Sequence, residues 1–125
     1  MYFFKLFFNE EEGITQADII PYDIKMKKLE YFYKNIRCDY IDVVDVGEDG
    51  EISIICDDEG LLKSGNIVMD IHHESIHEPL SLAGTLLVGK NIQESDGIEI
   101  EGFRSQIELM NEIKKFKFEV RGITK

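Results

Sequence analysis

The chain's three histidines fall within six positions, and two of them bracket a glutamate: His73-Glu74-Ser75-Ile76-His77. On an α-helix, residues i and i+4 share a face. His73 and His77 could then bind one zinc ion, with Glu74 as general base toward a metal-bound water. His72 adjoins the motif, and Asp70, Glu78 and Glu94 are candidate third ligands. Pro79 lies two residues after the second histidine and cuts short any helix through the motif. In a solvated acidic loop the same side chains would only titrate. Zinc is the one cofactor the sequence suggests, and metal-assisted hydrolysis the one reaction.

Other candidate chemistry is thinner. The stretch from Gly84 to Gly89 lacks the lysine–serine pair of a phosphate loop. Asp57, Asp58 and Glu59 form an acidic turn without the alternating ligands and downstream glutamate of a calcium loop. No serine has the context of a nucleophile elbow. Arg104 and Arg121 are isolated cations that could clamp a phosphate or carboxylate, or form ordinary surface ion pairs.

Charge decides more. With 25 acidic against 14 basic residues, the formal net charge is −11. A field of that sign repels DNA, RNA and anionic membranes and favours cationic partners. It also serves plain solubility. Cys38 and Cys56 are too few for a disulfide scaffold and lack metal-ligand spacing, which suits a reducing cytoplasm. The aromatic opening Met1–Phe8 has no basic start, is interrupted by Lys5 and runs into Glu10–Glu12. It reads as a strand, not a signal or membrane segment.

The elements that must position these groups follow from periodicity. At 125 residues the chain predicts one domain over residues 1–125. Residues 2–8 and 14–20 read as strands about a polar turn. Residues 25–36 read as a helix capped by Asp23, with Met26, Leu29, Phe32, Tyr33 and Ile36 on one stripe. Between Tyr40 and Gly60, two β-branched runs flank Asp49-Gly50, a hairpin signal because glycine accepts the positive φ of a primed turn. Residues 67–82 have no settled form, 83–90 read as a buried strand, and 91–102 as an acidic turn-rich stretch. Ser105-Gln-Ile-Glu108 is a capping box opening a second helix, and a last strand follows over 116–120. The sum is an α+β fold with a mostly antiparallel sheet of five to six strands and two helices.

The runs Ile55-Cys-Asp-Asp-Glu-Gly60 and Gly84-Thr-Leu-Leu-Val-Gly89, with Tyr40–Val44 before them and Phe103 and Gln106 after, resemble an uncharacterised domain family common in phages and mobile elements of low-GC bacteria. The resemblance spans roughly residues 1–118. It departs where Ile67 follows Asn66 in place of an arginine. It implies a mobile-element origin and a host-cell cytoplasmic setting, with no established activity.

Three functions are then expected. The first is a non-catalytic binding protein that occupies the basic surface of a host defence or nucleic-acid-binding protein, using Glu10, Glu11, Glu12, Asp57, Asp58, Glu59 and the acidic run 94–101. The second is a sponge for a small signalling nucleotide, with Asn66, Asn91 and Arg104 as donors; its arginines would need gathering at a homo-oligomer interface. The third is the zinc hydrolase.

Overall fold

Residues 2–9 carry large apolar side chains at both parities, which a strand does when both of its faces are covered. The structure, a computed structural model, describes residues 1–94 and 97–125 and bears this out. Strand β1 (Tyr2–Asn9) turns back through β2 (Ile14–Pro21), and α1 (Lys28–Ile36) follows. Next come β3 (Ile41–Val46), β4 (Ile52–Asp57), β5 (Ile67–His73), β6 (Leu80–Ala83), β7 (Leu86–Glu94) and β8 (Gly97–Glu101). Helix α2 (Gln106–Ile113) and β9 (Phe116–Ile123) close the described chain.

The larger sheet runs β2-β1-β7-β4-β3, with β8 beside the far half of β7. The smaller runs β6-β5-β9. Every strand pairing is antiparallel, so the α+β class expected from the sequence is the class observed. The strand count is higher than the expected five to six, because β5, β6 and β8 form from stretches that carried no strand assignment.

Period-two alternation divides the core. Phe4, Leu6, Ile52, Ile54, Leu86 and Val88 meet Met69, Ile71 and Leu109 on one side of the larger sheet. Phe3, Ile55 and Leu87 meet Tyr31, Phe32 and Ile36 of α1 on the other. Because both faces are covered, β4 is buried at five consecutive positions, Ile52 through Cys56. The buried Ser53 hydroxyl donates to Asp45 at 3.0 Å, so it is not left unpaired.

Helix α1 starts at Lys28, three residues later than expected. Asp23 accepts from the Lys25 amide in a local turn instead of capping the helix. The helix also turns a different face inward. Tyr31 is buried and Leu29 exposed, because the Tyr31 ring stacks with Tyr22 and its hydroxyl reaches the Pro21 carbonyl at 2.8 Å. In α2 the Ser105 cap forms as expected. There Leu109 is buried, whereas Ile107 and Met110 are exposed.

Candidate functional site

The β3–β4 hairpin stands at one edge of the larger sheet, and β3 has no second strand partner among the described residues. Its loop spans five residues, Gly47 to Glu51, longer than the two-residue turn that Asp49-Gly50 suggests. Gly47 and Gly50 both take positive φ, and the Gly50 amide bonds the Gly47 carbonyl. Between residues 39 and 62 lie nine acidic side chains and no lysine or arginine: Asp39, Asp42, Asp45, Glu48, Asp49, Glu51, Asp57, Asp58 and Glu59. Asp42, Asp45, Glu48 and Asp49 are exposed. The hairpin and its flanks are therefore strongly negative, and among the described residues only Asp57 of the nine forms an ion pair, with Lys63. Aspartates on a free strand edge also discourage pairing with a second copy.

Beside this hairpin, at the end of the sheet where β1 finishes and β7 begins, opens a cleft of about 600 Å³. Glu10, Glu11, Asp57 and Asn66 all line it, so four expected binding residues from three distant segments come together. Glu12 stays on the exposed β1–β2 turn, where its amide donates to Asn9 and its carboxylate accepts from Gln16. Asp58 and Glu59 are exposed on the turn after β4. Asn66 is itself braced, its side-chain amide donating to the Gly60 carbonyl at 2.8 Å.

The other expected donors lie elsewhere. Asn91 braces the hairpin loop, donating to the Gly50 carbonyl at 3.0 Å. Arg104 is exposed just before α2. Neither lines the cleft, so Asn66, Asn91 and Arg104 do not form one donor set. In the acidic run 94–101, the Glu94 side chain and Asp96 lie outside the described residues. Glu101 is on β8, and Glu99, also there, pairs with Lys28.

The cleft also holds cations that sequence reasoning passed over: Lys5, Arg37 and Lys63, with the Thr85 hydroxyl beside them. Lys63 is engaged, its ammonium 2.6 Å from the nearly buried Asp57 carboxylate, and this bond raises it above the usual lysine value. Lys5 and Arg37 have no ion pair among the described residues. Burial first, and the Arg37 charge second, pull the Lys5 ammonium below its ordinary value against the opposing pull of Asp18. Lys5 shares the α1-facing side of β1 with Phe3 and Phe7, and its ammonium lies 5.3 Å from the Phe7 ring centre. A lone lysine inside an apolar strand was the only sequence signal for this site.

The histidine motif takes a different form from the helix its spacing suggests. His73 ends β5, Glu74 and Ser75 make a turn, and His77 is exposed in the bend beyond. Without a helix, the i, i+4 argument for a shared zinc does not hold. His73 Nδ1 is occupied by the Ser75 amide at 3.1 Å and the Ser75 hydroxyl at 2.8 Å, and its ring packs on Phe116. His72 lies 3.7 Å from Glu119. Among the described residues no group of three His, Cys, Asp or Glu side chains is placed to hold a metal ion. Among the described residues no helix is long and apolar enough to cross a membrane.

No protein-family model, curated protein or solved structure matches this chain.

Proposed function

We propose that this chain is a non-catalytic binding protein whose acidic hairpin edge occupies the basic, nucleic-acid-binding surface of a protein partner. One observation carries the reading: the free-edge hairpin with its flanking turns, residues 39–62, concentrates nine of the 25 acidic residues and includes no lysine or arginine. A surface built to attract phosphates is its electrostatic complement. Duplex nucleic acid is repelled by the same field, and so is a second copy of the chain. In the cytoplasm of a host cell, such an occupant would inhibit a defence or replication protein by competing with its nucleic acid.

The reading is tested by offering the immobilised protein a bacterial lysate, with and without a short DNA duplex as competitor. The proteins retained should be basic DNA-binding proteins, displaced by the duplex and by salt. A variant combining Asp39→Asn, Asp42→Asn and Glu48→Gln keeps side-chain volume and should retain far less of them. Equal retention by the variant, or indifference to the duplex, would refute the reading.

A further inference from the structure

We infer that the cleft between the end of β1 and the end of α1 binds a small phosphate monoester, its phosphate held between Lys5 and Arg37. Its hydroxyl or amino groups are held by the Glu10 and Glu11 carboxylates, which line the same cleft. The two cations lie on β1 and at the end of α1, outside the hairpin, so the inference does not rest on the hairpin reading.

Three observations carry the inference. In a chain where acids outnumber bases 25 to 14, a half-buried lysine would be expected to have a carboxylate partner. Lys5 makes no ion pair among the described residues, although Asp18 stands opposite it on β2, and a second cation without an ion pair, the exposed Arg37, lines the same cleft. Two cations without ion pairs in one cleft are suited to an anion, and a guanidinium grips phosphate through two parallel bonds.

The backbone at Arg37 points the same way. Arg37 ends α1 at φ 61°, the one positive φ at a non-glycine position among the described residues. Glycine or asparagine would adopt this conformation at lower cost. Strain tolerated at a particular side chain is commonly strain retained for function.

The carboxylates in the lining set the ligand class. Glu10 and Glu11 line the cleft, so a ligand must also offer hydrogen-bond donors, and polyphosphates are repelled. A volume of about 600 Å³ suits a mononucleotide or sugar phosphate better than a bare ion.

The test is titration calorimetry of the full chain with adenosine monophosphate, ribose phosphate and inorganic phosphate. At least one monoester should bind tenfold or more tightly than inorganic phosphate, and affinity should fall with added salt. Arg37→Asn, which tolerates the left-handed backbone, and Lys5→Gln should each weaken that monoester at least tenfold. Combining Glu10→Gln with Glu11→Gln should weaken the monoester and not inorganic phosphate. A hairpin variant limited to Asp42→Asn and Glu48→Gln should bind the monoester as the native chain does, so failure here is distinct from failure of the hairpin reading. No binding by any probe, equal binding of inorganic phosphate, or unchanged affinity in a folded Arg37→Asn variant would overturn the inference.

Discussion

The backbone amide of Gly47 donates to the Ser75 hydroxyl at 2.8 Å, tying the loop of the acidic hairpin to the turn that follows β5. The same hydroxyl lies 2.8 Å from His73 Nδ1. One small side chain thus joins the edge of the larger sheet to the histidine segment of the smaller. Replacing Ser75 with alanine leaves the Gly47 donor unpaired and should lower unfolding free energy by about 1 to 2 kcal/mol. Urea denaturation measures the loss, and amide exchange should quicken at Gly47 before the core. A Ser75→Ala protein of native stability would show that the link is incidental.

His73 gives stability a pH dependence. Burial holds its imidazole below the ordinary value of 6.5 in the folded chain. Because Nδ1 accepts the Ser75 amide, a proton there would have to displace that bond. Between the two pKa values the unfolded chain holds the extra proton. Stability is therefore full above 6.5 and declines as pH falls through it, until the folded imidazole is also protonated. The carboxylates of Glu108 and Glu119, held low by Lys90 and Lys117, act in the same direction only below 4.5. Chemical denaturation should show a lower stability at pH 5.5 than at pH 7.5. A His73→Gln protein should show less of this loss, and an identical loss would assign the effect to other groups.

Glycine at position 89 is required by close packing. A Cβ there would stand 2.6 Å from the Phe3 ring and 2.9 Å from the Glu101 carbonyl. Gly89→Ala should therefore cost about 1 to 3 kcal/mol, since the carbonyl belongs to the paired backbone of β8 and cannot swing aside. Gly122, with nothing within 4 Å, is the internal control. Gly122→Ala should be neutral or slightly stabilising in the same denaturation experiment.

The two cysteines should differ in reactivity. Burial, reinforced by Asp42, pushes the Cys56 thiol up to about 12, so almost no thiolate exists at neutral pH. Cys38 is half-buried and only raised, again chiefly by burial. A thiol-reactive chromophore at pH 8 should label one site slowly in the native protein and two after denaturation. Rapid labelling of Cys56 in the native state would contradict the packing of β4.

These elements were unequally legible in the sequence. The hairpins over residues 2–21 and 41–57 follow from β-branched and aromatic runs flanking turn residues, and the second helix from its Ser105 cap. Strand β5 has a regular alternation, with Ile67, Met69, Ile71 and His73 inward. It was obscured because a histidine occupies an inward position and the next residues complete a zinc-helix spacing. Strand β8 exists by pairing with β7, which the acidic Gly97-Ile-Glu-Ile-Glu101 run does not announce on its own. The cleft was the least legible feature. Lys5, Arg37, Lys63 and Thr85 come from four segments, and only the sheet order brings them to one end of the fold.

The hairpin reading is tested most directly by placing a photoreactive benzoylphenylalanine at Val43, 37% exposed on the free edge strand, and irradiating the protein in a host lysate. The same group at Val120, 56% exposed on β9, serves as the reference position. The account predicts a crosslink from position 43 to a basic nucleic-acid-binding protein, suppressed by a DNA duplex and by salt, with none from position 120. Crosslinking from position 120 alone, or from position 43 to a partner indifferent to the duplex, would contradict it.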